Sequence, residues 1–202
     1  VDNHWIENLV APFEKSADVA FGYGRQKGDD RSKFSEKQYF RSAFKENSVL
    51  QKDDPFANNA NSIIRKSSWE LAGGFREDLS GLEDIDMARR LQGLGFHLAY
   101  QADAVVFHVH EESPQQIYNR YFREGIAYRY IYPEQRFRFR DFLKYFSLNV
   151  KSDLSHALRE GQFWSNFLEI CQFRFLQFYA TWKSNRVSKK LPQDIMGRLY
   201  YK

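Results

Sequence analysis

One cysteine, Cys171, occurs among 202 residues. A lone thiol excludes an internal disulfide framework and a zinc site built from cysteines; it is compatible with a reducing, cytoplasmic setting. No uninterrupted apolar run approaches the ~20 residues that a membrane-spanning helix needs. No secretory signal is visible, because the chain opens with the polar Val1-Asp2-Asn3-His4. An initiator methionine is also lacking, as in a processed chain or a fragment. Internal repeats and low-complexity tracts are absent.

What is present describes a folded chain. Hydrophobic residues make up 43% and aromatics 17%, with 19 Phe and 12 Tyr, which excludes a disordered polypeptide. The net charge of +4 conceals an asymmetry: residues 1–114 hold 14 Lys/Arg against 19 Asp/Glu, a net −5, and residues 115–202 hold 16 against 7, a net +9. The basic part also carries 21 of the 35 aromatics. Such a segment suits a membrane surface or a phosphorylated ligand. Its arginines are spread over predicted helices rather than set in a nucleic-acid-binding motif, so nucleic acid is not an expected partner.

Helical spacing of Trp5, Ile6, Leu9, Val10 and Phe13 predicts a helix over 3–16, capped by Asp2 or Asn3. A short strand follows over 17–24. The polar segment 26–54 is expected at the surface, with a helix over 36–45 whose apolar side is Tyr39, Phe40 and Phe44. A strand is expected to emerge from Asn58-Asn59-Ala60-Asn61, where the asparagines either satisfy local backbone groups or contact a ligand. Then come a helix over 67–72, a helix begun at Gly81, and strands over 96–100 and 104–107. Helices follow over 115–130, 142–158 and 163–182. This order predicts an α/β fold: a mixed sheet flanked by helices over residues 1–114, followed by a helical, aromatic extension over 115–202. On the last helix a stripe from Trp164 through Leu168, Cys171, Phe175 and Tyr179 to Trp182, interrupted by Arg174, either packs on the protein or lies in a membrane interface with the basic 183–190 stretch toward lipid headgroups.

The chemistry concentrates at Ser80-Gly81-Leu82-Glu83-Asp84-Ile85-Asp86. Ser80 and Glu83 have the spacing of a capping box, and Glu83 serves either that purpose or a site. Asp84 shares a helix face with Ala88 and Leu91, the side turned toward the protein. An acid there is costly unless needed, and the helix dipole is expected to hold it ionised as a base. Asp86 points the other way, as a surface acid within reach of Arg89 or Arg90. Downstream, His108 ends an apolar strand and alternation sets His110 on its side; a strand-end histidine is either hydrogen-bonded structure or a metal ligand. Glu111 follows too closely for a cupin-like iron site, and a run of barrel strands is lacking.

Taken together, Asn59-Ala60-Asn61-Ser62-Ile63-Ile64-Arg65, Gly73-Gly74-Phe75-Arg76-Glu77, Gly81-Leu82-Glu83-Asp84-Ile85-Asp86-Met87-Ala88-Arg89-Arg90, Gly95-Phe96-His97, Ala104-Val105-Val106-Phe107-His108 and Asn119-Arg120-Tyr121-Phe122-Arg123-Glu124 resemble the family 2 glycosyltransferases. These are inverting enzymes of the GT-A fold that use nucleotide-sugar donors. The resemblance covers about residues 56–130. It implies Asp84 as general base, Glu83 beside it at the acceptor or sugar, Asn61, Arg120 and Arg123 as substrate contacts, and His108 (second choice His110) as ligand of a divalent metal, Mn or Mg. It also implies a glycan or lipid-linked acceptor, and the basic, aromatic C-terminal helices suggest a cytoplasmic setting with peripheral contact at the inner face of the membrane. The nucleotide-binding half of such enzymes, with its Asp-x-Asp metal motif, does not precede Val1, and Asp29-Asp30 and Asp53-Asp54 do not replace it. The chain is therefore expected to be an acceptor-side portion, inactive or nearly so alone. A second expectation, of a different class, is a non-catalytic membrane-surface or partner-binding module on the same scaffold.

Overall fold

The structure, a computed structural model, describes residues 3–53 and 55–187. Asp2 and Asp54, and the basic residues beyond Val187, lie outside that range. The described residues group into two compact units that are not consecutive in sequence. One comprises the chain up to Arg31 with Tyr39–Asp78 and Glu83–Val109; the other comprises Ser32–Gln38, Leu79–Leu82 and the chain from His110 onward.

The first unit holds a four-stranded mixed sheet, ordered β2-β4-β1-β3. Helix α1 (Trp5–Lys15) leads into β1 (Val19–Lys27), and α2 (Phe34–Ala43) into β2 (Val49–Gln51). A 3-10 turn at Asn59–Asn61 opens β3 (Ser62–Ile64), and α3 (Lys66–Leu71) and α4 (Glu83–Gly93) precede β4 (His97–Phe107). Strand β1 runs parallel to β4 and antiparallel to β3, while β2 pairs antiparallel with β4. Residues Val19 to Gly24 are all buried, as a central strand covered on both faces requires. Phe21, Met87, Ala88, Leu91 and Leu98 are 0% exposed in one core.

Several expectations change here. Helix α1 is preceded by His4, whose side chain makes no capping bond, rather than by an Asn3 cap. The two short strands over 96–107 are one strand. The segment expected at the surface is in large part interior, since Gln26, Ser35, Glu36, Gln38, Phe40 and Phe44 are buried. Polar residues make up most of what is buried there, which is why composition placed the segment outside.

Strand β4 keeps its length by bulging. Gly24 pairs with Gln101 but Arg25 pairs with Val105, so the pairing skips Ala102, Asp103 and Ala104. Backbone groups in such a bulge need other partners. Ser48 Oγ accepts from the Ala102 N–H at 2.9 Å, and Asn8 Nδ2 donates to the Asp103 carbonyl at 3.2 Å. Asn61 Nδ2 donates to the Ala104 carbonyl at 2.8 Å and the Arg25 carbonyl at 3.4 Å. Gly24 makes room for it: a Cβ there would lie 2.3 Å from Asn61 Nδ2 and 2.2 Å from the Ala104 carbonyl oxygen.

The second unit contains three long helices, α5 (Pro114–Ile131), α6 (Phe139–Arg159) and α7 (Phe163–Ser184). Ser113 and Gln116 form a capping box at the start of α5, with Pro114 in the first turn, where its missing N–H costs nothing. Helices α5 and α7 pack closely at Gly125, where a Cβ would come within 2.2 Å of Ser184 Oγ. On α7 the fully buried face is Ile170, Phe173, Arg174, Gln177 and Ala180, while the expected aromatic stripe packs in part on α6, Phe175, Tyr179 and Trp182 meeting the Phe142 ring and Phe178 the Tyr145 ring. Trp164 (85%), Leu168 (79%) and Phe175 (44%) on that stripe are exposed. Arg174 decides the rotation. Its guanidinium pairs with Asp153 at 2.7 Å and also reaches Gln177 at 2.8 Å and the Ser35 carbonyl at 3.1 Å, so its charge is fully compensated inside. No helix among the described residues is long and apolar enough to cross a membrane.

Two stability measurements check this account. Asn61→Ala strands two carbonyls and is expected to lower the unfolding free energy by roughly 2–4 kcal/mol, read from urea midpoints; a loss under about 0.5 kcal/mol contradicts the role. Asp153→Ala leaves Arg174 buried without its partner, at an expected cost of about 3–5 kcal/mol, while Asp141→Ala at the exposed start of α6 serves as the mild comparison.

Candidate active site

The acid pair sits at the first turn of α4. Met87, Ala88 and Leu91 fix the helix, since all three are 0% exposed in the core beside Phe21 and Leu98. Glu83 is the first helical residue, so the capping box expected with Ser80 is not formed; the Ser80 hydroxyl donates instead to the Arg123 carbonyl at 2.8 Å. Leu82, directly before the helix, has φ 57°, a left-handed conformation that leucine seldom takes. Strain of this kind costs roughly 1–3 kcal/mol and collects at functional positions.

Asp84 is half-buried. Its Oδ1 accepts the Ile85 N–H at 2.8 Å and its Oδ2 accepts the Asn59 N–H at 3.0 Å. Asn59 Nδ2 donates to Glu83 Oε1 at 3.3 Å. One asparagine therefore holds both carboxylates, by its backbone and by its side chain. Burial pushes the Asp84 carboxyl up to about 6, and the charge of Glu83 adds to the rise, against the pull of the Asn59 and Ile85 amides. Desolvation and a like charge outweigh the amides, so Asp84 stays ionised near neutral pH but by a narrower margin than a helix start by itself would give.

Asp86, expected at the surface, is buried at 7% exposure. Arg90 Nε donates to it at 2.8 Å and Arg76 lies 3.7 Å away, so this acid is neutralised where Asp84 is not. The remaining asparagines divide by task. Asn58 Oδ1 accepts the Ala60 N–H at 3.0 Å and also a bond from Gln26 Nε2. Asn61, expected at the substrate, has its amide occupied: Trp5 Nε1 donates to its Oδ1 at 2.7 Å, and its Nδ2 serves the bulge. Asn59 is the contact that sequence reading missed; the Asn-rich turn was its signal, without the information of which asparagine faces the acids.

Of the other expected site residues, His108 belongs to the first unit and His110, Arg120 and Arg123 to the second. In the first unit, His108 meets the edge of the Phe40 ring at 6.0 Å between centroids. In the second unit, His110 bonds to Glu36. The chain has left β4 by this point, so the alternation that aligned the two histidines no longer applies. Arg120 is held in a two-pronged pair with Glu112 at 2.7 and 2.9 Å and lies over the Tyr121 ring at 4.4 Å. Burial opposes its charge, but Tyr121, Glu112 and Glu124 outweigh burial and push its pKa upward. Arg123 lies on the same helix, half-buried. No three His, Cys, Asp or Glu side chains among the described residues gather so as to hold a metal ion, so these residues do not by themselves fit the divalent metal implied by the resemblance.

Two curated relatives match the chain. The O-antigen chain rhamnosyltransferase WbaN of Salmonella anatum is 33% identical over 118 residues, and RfbN of Salmonella typhimurium, also an O-antigen chain rhamnosyltransferase, is 31% identical over 118 residues. Each match takes in 54% of this chain and 34% of the relative, so the chain spans about a third of the length of the curated relatives it matches. No family model matches the chain, and no solved structure matches it at a significant level.

The geometry predicts a pH effect on folding. The folded Asp84 has its pKa raised from 3.8 to about 6, so between those values the folded state binds the extra proton. The associated stability is fully present below about pH 3.8 and is lost as pH rises through about 6. Urea midpoints of wild type and Asp84→Asn, measured across that window, are expected to differ in slope, with the Asn variant flatter. Parallel curves contradict the assignment.

Proposed function

We propose that the chain is the acceptor-side part of an inverting glycosyltransferase of family 2, with Asp84 as general base. The single observation that carries this reading is a half-buried carboxylate at a helix start, with its pKa raised to about 6 and locked in direction by two backbone N–H donors. Likeness to two O-antigen chain rhamnosyltransferases supports glycosyl transfer in general, and a nucleotide-activated rhamnose with a glycan or lipid-linked acceptor is the donor and acceptor class we assign.

The chemistry follows from the carboxylate. Near neutral pH Asp84 is ionised yet basic enough to take a proton in the transition state, because its pKa lies close to the working pH. Each oxygen accepts one backbone N–H and keeps a lone pair for the acceptor hydroxyl. As that hydroxyl oxygen bonds to the anomeric carbon, its proton passes to Asp84. The bond from the anomeric carbon to the nucleoside diphosphate breaks on the opposite face, so the configuration inverts. Glu83 holds Asp84 basic by its charge and offers its other oxygen to a sugar hydroxyl. The described residues do not assemble a divalent-metal site, and no step here passes through one. Peripheral contact with the inner face of a membrane through exposed Trp164 and Leu168 at the start of α7 belongs to the same proposal.

Rates of nucleoside diphosphate release from the nucleotide-sugar are the test, measured in the polypeptide that carries this chain in full. Asp84→Asn is expected to lower the rate by at least about a hundredfold with folding intact. The wild-type rate should rise with pH through an apparent pKa near 6. An Asn variant that keeps its rate eliminates Asp84 as the base; biological activity that survives it unchanged favours the non-catalytic module.

A further inference from the structure

Within the helical unit, the end of the α5–α6 connection and the first residues of α6 read Arg136-Phe137-Arg138-Phe139-Arg140. It borders a cavity of about 590 Å³ whose wall also includes Tyr145, Phe178 and Asn185. The loop is pinned rather than loose. The Phe137 N–H donates to Asn185 Oδ1 at 3.3 Å, and the Phe137 ring stacks on Tyr145 with centroids 5.8 Å apart and planes 20° apart. Arg129 is buried, and its guanidinium donates to the Ser184 and Val187 carbonyls at 2.7 and 2.9 Å, closing the end of α7 with a positive charge.

The charges at this cavity do not cancel. Glu134 and Asp141 also border it. Asp141 is engaged by the Arg138 N–H at 2.8 Å and by Arg140 at 3.8 Å. Among the described residues, Arg136 and Arg138 have no carboxylate partner. The pKa of Arg129 is lowered, first by burial and then by the like charge of Arg136, as expected where positive charges crowd together. The start of the 21-residue α6 lies at the same cavity and adds the positive end of a helix dipole.

We propose that this cavity binds a phosphate or diphosphate group, with Arg136 and Arg138 forking onto the phosphate oxygens and Phe137 and Tyr145 flanking the part of the molecule that carries it. Paired guanidinium groups suit this geometry better than lysines, because each presents two parallel donors. The phosphate comes either from a soluble diphosphate or from a lipid headgroup; Phe139 (49%) and Leu143 (47%), exposed on the first turns of α6, offer apolar contact for the second source. The proposal is independent of the assignment of Asp84.

Calorimetric titration of the full chain with inorganic pyrophosphate, and flotation with phosphatidylcholine vesicles with and without phosphatidic acid, test it. The pair Arg136→Gln with Arg138→Gln is expected to weaken binding roughly tenfold or more. A charge-matched control, Lys151→Gln with Arg159→Gln on the exposed far part of α6, should stay within about twofold. Arginine-dependent binding of pyrophosphate assigns a soluble diphosphate; arginine-dependent binding to acidic vesicles alone assigns a headgroup. Absence of binding to either probe overturns the proposal, as does equal weakening by both pairs, which marks diffuse attraction. Circular dichroism of the variants, whose changed residues are exposed, verifies the fold.

Discussion

The side chain of Asn61 is the tie on which the sheet and the site both depend. Where β1 and β4 fall out of register, two backbone carbonyls have lost their sheet partners, and one primary amide reaches both. The amide fits only because Gly24 has no side chain, and its oxygen is held from the other side by Trp5. An unpaired carbonyl in such a place costs about as much as a large fraction of a small protein's net stability. Three residues thus share a single constraint. The same constraint fixes the 3-10 turn, and with it Asn59, whose backbone and side chain reach the acid pair of α4.

Two acids on one helix show how environment separates roles. Asp84 and Asp86 are two residues apart, and both are withdrawn from water. Asp86 has two guanidinium groups near it and serves to anchor the helix to Arg90 and Arg76. Asp84 has two amides and a neighbouring carboxylate, so its charge is tolerated rather than neutralised. An acid that is costly where it stands, yet held by dedicated donors, fits a chemical task better than a structural one. The pair Arg174–Asp153 in the helical unit gives the contrast: both side chains are 3% exposed, and each is fully served.

The sequence made the helices legible because their apolar periodicity is strong, and Asp84 legible because it shares a face with Ala88 and Leu91. It put Arg90 within reach of Asp86, as found, but did not reveal that Asp86 is buried, since nothing local announces that Arg76 also approaches it. Strand β2 was missed: Val49, Leu50 and Gln51 are too few to show alternation, and their pairing with β4 is decided fifty residues away. The face of α7 was only partly legible for a related reason. Its aromatics outnumber the residues that are buried, and hydropathy alone places Arg174 outside, whereas Asp153 on another helix draws it in. The glycine at position 24 and the asparagine at position 61 are individually ordinary residues; only their adjacency in space gives them a purpose.

The parallel pairing of β1 with β4 bears on how the chain is made. Val19 lies opposite His97, so the central strand is synthesised long before its main partner. At roughly 5–20 residues per second, several seconds pass in which the most apolar strand of the sheet lacks the parallel partner that pairs along most of its length. Loop closure over this separation also makes the pairing a late and slow event in refolding. A nascent chain halted before β4 would present an apolar strand paired along one edge only, the kind of segment that chaperones take up.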